Sequence, residues 1–221
     1  MSRQSYCFLA TFVWFLLTSA DAAEPAAKAP EKPAMKTVAI LLFDGVELLD
    51  FAGPAEVFIV AARGEAYRVV TVAASIQPLK TMGGITVTAD FSYDNAPQAD
   101  VLVVPGGNLA AVDAVGRAWV KQQSEDAEIV MSVCYGALLL ADLGLLDGLE
   151  ATTHHWAVEQ LKKAAPKCKV VRDKRFVDSG KMITTAGVTA GIDGALRVVE
   201  RQLGKEAAQW TAVEWMEHRQ K

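Results

Sequence analysis

The sequence predicts an α/β protein with a mostly parallel central sheet, and two patterns carry that prediction. Short runs rich in β-branched and apolar residues alternate with longer stretches of helical period, the signature of repeated βα units. Several of the short runs are apolar throughout or nearly so, TVAILLF at 37–43 after its opening threonine and VLVV at 101–104 among them. Strands with no polar face suit a parallel sheet covered on both sides.

In chain order, the first 22 residues read as a secretory signal peptide. Arg3 precedes an apolar run at 8–17, shorter than the ~20 residues that a spanning helix needs, and Ala20-Asp21-Ala22 fits the small-x-small cleavage pattern. Cleavage there predicts a periplasmic or secreted protein with no stable membrane anchor. Residues 23–35 are rich in alanine, proline and charge, have little to bury, and form a flexible tether. The folded domain then occupies 36–221, a size that one core fills.

Within that domain the expected strands are 37–43, 67–73, 101–104, 128–133, 169–172 and 181–185, with short hairpin or edge strands at 84–89 and 175–178. The expected helices are 49–62, 109–123, 135–143, 156–164, 190–203 and 205–218. In an open parallel sheet ligands gather beyond the carboxyl ends of the strands. Four loops at such ends carry reactive groups: 44–50, 105–108, 134–136 and 152–155.

The formal net charge of −4 supplies no basic field for nucleic acid, and no helix-turn-helix pair is visible, so no nucleic-acid partner is expected. Loss of the leader removes Cys7 and leaves Cys134 and Cys168, which a chain of this size does not need as a staple. There is no CxxC, HExxH or clustered His/Cys spacing, so neither a metal site nor a cofactor is expected.

Ser132-Val133-Cys134-Tyr135-Gly136 has the small-x-nucleophile-x-small form of a nucleophile elbow, in which a strand turns sharply into a helix. The turn would set Cys134 at a helix N-terminus that stabilises a thiolate. The competing reading is a small buried side chain packed in the core. Gly106-Gly107-Asn108 lets backbone N–H groups approach closely and, with the N–H of Tyr135, suits an oxyanion hole. Asp50, between Leu49 and Phe51, is either a buried carboxyl of raised pKa beside the thiol or a helix-start acid that serves capping. One of His154 and His155 could orient or deprotonate the thiol, and the same segment could equally be a helix entry capped by Thr152 or Thr153. His218 reads as a surface residue.

Five segments together, FDGVELLDFAGPAEVF, VLVVPGGN, MSVCYGALLLADLGLLDG, ATTHHW and ITTAGVTAGIDGALRVVE, resemble the DJ-1/PfpI superfamily of class I glutamine-amidotransferase-like proteins. The resemblance implies a flavodoxin-like three-layer sandwich, a reactive Cys134, a neighbouring acid at Asp50, oxyanion-binding backbone at Gly107 and Tyr135, and a homodimer. His154 matches the histidine position of the DJ-1 branch. The LLDFAGPAEVF and AGVTAGID segments look most like isonitrile hydratases and the sensor domains of AraC-type regulators. Tyr135 stands where isonitrile hydratases carry threonine, and Asp50 where the glyoxalase and protease branches carry glutamate. Glutamine amidotransfer is not expected, because the glutamate that follows the catalytic histidine of those enzymes is missing after His154.

The expected function is therefore a cysteine-dependent hydratase or lyase acting on a small-molecule electrophile, with Cys134, Asp50 and His154 as catalytic groups. The isonitrile version yields an N-substituted formamide. Glyoxalase-like conversion of 2-oxoaldehydes and a non-catalytic redox- or ligand-sensing module are the alternatives.

Overall fold

The protein is described here by a computed structural model over residues 34–217. The signal segment, nearly all of the tether and His218 lie outside the described residues. β1 (Lys36–Leu41) opens the fold and pairs in parallel with β2 (Tyr67–Ala73) on one side and β6 (Val101–Val104) on the other. β7 (Ile129–Val133) continues the sheet in parallel beside β6, and β11 (Met182–Thr185) beside β7. Two short strands close the edges: β5 (Phe91–Ser92), parallel to β2, and β10 (Phe176–Ser179), antiparallel to β11. The full order is β10-β11-β7-β6-β1-β2-β5, so one pairing in seven strands is antiparallel and the sheet is mostly parallel.

Alternation along each central strand divides its side chains between two cores. Val38 and Ile40 of β1, with Val101 and Val103 of β6, join one core, whereas Ala39, Leu41, Leu102 and Val104 join the other. The first core is completed by α1 (Leu48–Val60) and α5 (Ala190–Leu203), which contribute Val57, Phe58, Leu196, Val198 and Val199. The second is closed by α2 (Ala114–Asp126), α3 (Gly136–Asp142) and α4 (Val158–Ala164), through Trp119, Val120, Leu139, Leu140 and Leu161. The result is a sandwich of three layers. α6 (Lys205–Trp210) runs on into a π-helical turn over Thr211–Trp215, shorter and less regular than the helix expected over 205–218. Among the described residues no helix is long and apolar enough to cross a membrane.

Several departures have local causes. The run at 169–172 does not enter the main sheet: β9 (Lys169–Val170) pairs with β8 (Glu150–Ala151) in a separate ribbon, where Lys169 meets Glu150 at the surface. A charged residue on so short a run keeps it out of a layer that must be covered on both faces. The run at 84–89 becomes one arm of a hairpin, β3 (Leu79–Lys80) with β4 (Thr86–Val87). The helix expected from residue 109 begins at Ala114, because the Asp113 carboxylate accepts the Gly116 N–H at 2.8 Å and fixes the start there.

Phe58 is fully buried between α1 and the sheet and packs edge-on against Tyr67 at 5.1 Å. Phe58→Ala is expected to cost about 3–5 kcal/mol of stability, read as a lower urea midpoint, since it empties the layer that seats α1.

Candidate active site

The β7 strand ends at Val133, and the next residue, Cys134, takes a left-handed φ of +58°. An L-residue adopts that conformation at a cost of about 1–2 kcal/mol, so its surroundings must hold it. They do so from both sides. The Cys134 N–H donates to the Thr185 carbonyl at 3.1 Å, and the Cys134 carbonyl accepts the Thr153 hydroxyl at 2.7 Å. The turn also requires glycine at two flanking places. A Cβ on Gly136 would lie 2.0 Å from the Val104 carbonyl oxygen, and one on Gly187 would lie 2.6 Å from Cys134 Cβ and 2.9 Å from its Sγ. Cys134 is thus a strained elbow residue, 6% exposed, rather than an ordinary core side chain.

Asp50 sits in the first turn of α1 with no exposed surface. It does not cap its own helix: its Oδ2 accepts the Gly106 N–H at 3.0 Å and its Oδ1 accepts the Val188 N–H at 2.8 Å, both from other strand ends. The position of a Cβ on Gly106 would fall 2.8 Å from Asp50 Oδ2, 2.8 Å from the Tyr135 nitrogen and 2.9 Å from Cys134 Cβ. Acid, elbow amide and thiol-bearing side chain therefore converge on one glycine.

Electrostatics ties the pair together. Burial pushes the Asp50 carboxyl up to about 6, against the two N–H groups of Val188 and Gly106 that favour its charged form, while Glu47 adds to the rise. Burial and the adjacent Asp50 charge push the Cys134 thiol up to about 12, and the Tyr135 N–H opposes them. The depressed thiol expected from a helix N-terminus is not what the fold provides. α3 has only seven residues, and burial beside a carboxylate outweighs its dipole. The directions of the two shifts favour the proton on sulfur over the proton on Asp50.

The histidines lie at the rim. His154 stacks on the Tyr135 ring at 5.9 Å, and its Nδ1 accepts the Trp156 N–H at 3.3 Å; burial, with the charge of His155, lowers its pKa. Its ring and hydrogen-bond contacts are with Tyr135, His155 and Trp156, not with the Cys134 sulfur. His155 is exposed and lines a cavity of about 290 Å³, together with Thr152, Thr153 and Ala186. Gly107, at φ +129°, bridges Val46, and a Cβ there would fall 2.3 Å from the Gly45 carbonyl oxygen. Within this loop the glycine packed directly against the Cys134 side chain is its neighbour Gly106. Thr153, expected as a candidate helix cap, instead holds the elbow through its hydroxyl, and His154 caps the helical turn; the roles of Gly187 and Val188 had as their available signal Ala186-Gly187 directly after β11. Cys134 and Cys168 are both free thiols, and among the described residues no cluster of three or more His, Cys, Asp or Glu could hold a metal ion.

The family model described as "DJ-1/PfpI family" matches residues 36–201, the span that contains this site. The chain belongs to the DJ-1/PfpI family. It is 35% identical over 179 residues to an isonitrile hydratase of Pseudomonas putida, covering 78% of this chain and 74% of the hydratase. It is also 30% identical to the HTH-type transcriptional regulator CdhR of Pseudomonas aeruginosa, over 76% of this chain but 51% of the regulator. Among solved structures, a ThiJ/PfpI family protein from Pseudomonas syringae superimposes with a TM-score of 0.76 at 26% identity, covering 92% of this chain and 86% of that one. The flavodoxin-like sandwich of this DJ-1/PfpI protein is thus shared with its solved relatives.

Because the folded Asp50 pKa is raised, its contribution to stability is full below the ordinary carboxyl value and is lost as pH rises through about 6. Asp50→Asn should gain on the wild type by about 3 kcal/mol between pH 3 and pH 8, measured by urea unfolding at each pH.

Proposed function

We propose that this DJ-1/PfpI protein is a cysteine-dependent hydratase acting on small isonitriles. The observation that carries the reading is the convergence of the Asp50 carboxylate, the Cys134 thiol and the Tyr135 N–H on Gly106. The similarity to the Pseudomonas putida isonitrile hydratase supports the substrate class.

The chemistry follows from where the proton sits. As sulfur bonds to the terminal isonitrile carbon, the thiol proton passes to Asp50 and from there to that same carbon, leaving a thioimidate on Cys134. Asp50 then takes a proton from water as its oxygen adds to the thioimidate carbon, and passes that proton to nitrogen. In the collapse of this adduct Asp50 takes the hydroxyl proton and delivers it to sulfur as the C–S bond breaks; the product is the N-substituted formamide. A carboxyl with pKa of about 6 suits both directions of transfer near neutral pH. The Tyr135 N–H, directed at sulfur, stabilises the thiolate as it departs. In this scheme His154 acts at the rim, through its stacking on Tyr135, and the linked rings of Tyr135, His154, His155 and Trp156 offer a wall for the isonitrile substituent.

A buried thiol that keeps its proton is poorly suited to peroxide sensing, which requires thiolate and access. A periplasmic or secreted location, inferred from residues 1–22, and a homodimeric state belong to the same proposal.

Incubation of the mature protein with alkyl and aryl isonitriles, and separately with 2-oxoaldehydes, distinguishes hydratase from glyoxalase chemistry by NMR of the products. Formamide formation is expected from the wild type, with a loss of at least about 10²–10⁴-fold for Asp50→Asn and a larger loss for Cys134→Ser. Full activity in Cys134→Ser would remove the hydratase reading, and hydroxy-acid formation from 2-oxoaldehydes alone would replace it.

A further inference from the structure

The turn that supplies the Val188 N–H to Asp50 is tied from outside by one residue, Arg175, through its side chain and its backbone carbonyl. Asp193, in the first turn of α5, is 2% exposed, and Arg175 Nε donates to its Oδ2. The same guanidinium donates through its second nitrogen to the Thr189 hydroxyl at 3.2 Å, and the Arg175 carbonyl accepts the Ala186 N–H at 2.8 Å. Arg175 thereby fixes both ends of the 186–189 turn and ties it to α5.

Between those ends lie two left-handed residues, Gly187 at φ +99° and Val188 at φ +51°. Glycine accepts such a φ readily, whereas a β-branched residue there is a true outlier that persists only where its surroundings over-determine it. Gly187 rests on the Cys134 side chain, and the Val188 N–H meets Asp50 Oδ1 at 2.8 Å. The strain is concentrated at the residue that touches the acid.

We propose that the Arg175–Asp193 ion pair is a positioning device for the reactive site: it locks the 186–189 turn in the conformation that directs the Val188 N–H onto the Asp50 carboxylate. The groups facing Asp50 are then the Gly106 N–H from the loop after β6, the Cys134 thiol from the elbow, Glu47 ahead of α1, and the Val188 N–H that this pair controls. Arg175 and Asp193 are positioning residues and do not themselves meet the reacting atoms. The consequence for catalysis rests on the reading of Asp50 as the proton carrier.

The test is a carbon-13 carboxyl NMR titration of the full mature chain, with the Asp50 signal assigned by its loss in Asp50→Asn. Asp193→Asn is the decisive variant, because it keeps the side-chain shape and removes a negative charge. Charge alone would lower the Asp50 midpoint, whereas loss of the Val188 N–H raises it. The expected result is a rise of about one pH unit, the scale of one hydrogen bond to a charged group. Arg175→Gln should raise the midpoint in the same way, and Arg175→Lys should restore most of the wild-type value. Should either neutral variant fail to fold, Thr189→Val removes one tie of the clamp without stranding a buried charge, and a smaller rise is expected. An unchanged or lowered Asp50 midpoint in Asp193→Asn or Thr189→Val would overturn the proposal and leave the ion pair with a structural role only. A raised midpoint in a protein that turns over no isonitrile would uphold the positioning role and sink only the hydratase reading.

Discussion

Two acids share one buried niche, and only one of them can carry charge there comfortably. Asp50 has no exposed surface, Cys134 is 6% exposed, and burial raises the cost of ionising both; the Asp50 charge adds to the cost for the thiol, whereas the thiol's hydrogen bond eases that of Asp50. The strained elbow places sulfur in the niche, α1 brings the carboxyl, and the loops after β6 and β11 supply the N–H groups that make a buried carboxylate tolerable. The layered fold serves this arrangement by bringing the carboxyl ends of β1, β6, β7 and β11 side by side, where four separate loops meet. The glycines at 106, 136 and 187 are space requirements of the same niche, since a Cβ at any of them would overlap a neighbouring atom.

In the proposed hydratase, reactivity comes from proton exchange within the pair, not from a permanently exposed thiolate. A protonated thiol beside a carboxylate becomes nucleophilic when an electrophile is present to accept its electrons, and it keeps its proton otherwise. That distinguishes a hydratase from a redox sensor, which needs thiolate at rest. It also explains why a carboxyl is buried at a cost to stability, a common trade at reactive sites.

Much of this was legible in the sequence, and the limits have physical reasons. The central strands, the helical layers and the elbow at Cys134 follow from periodicity and from Ser132-Val133-Cys134-Tyr135-Gly136, because burial on both faces and a tight turn leave few residue choices. The proximity of Asp50 to Cys134 rested on resemblance, since 84 positions separate them and no local pattern links a first helix to a fourth strand end. The helix start after Cys134 predicts a lowered thiol, whereas in the fold burial and then the Asp50 charge push it up; local sequence shows the helix but neither the burial of the sulfur nor the charge brought from α1. Val188 escaped notice for a related reason: its contribution is a backbone N–H at an unfavourable φ, and side-chain identity carries no trace of that. The ribbon of β8 and β9 and the two-residue β5 are too short for periodicity to register.

The shared proton is tested most directly by the pH dependence of Cys134 alkylation in the wild type and in Asp50→Asn. The wild-type thiol should titrate well above the free-cysteine value of ~8.5, and removal of the Asp50 charge should bring that midpoint down. A wild-type midpoint at or below ~8.5, or one that Asp50→Asn leaves in place, would contradict the coupling on which the site depends.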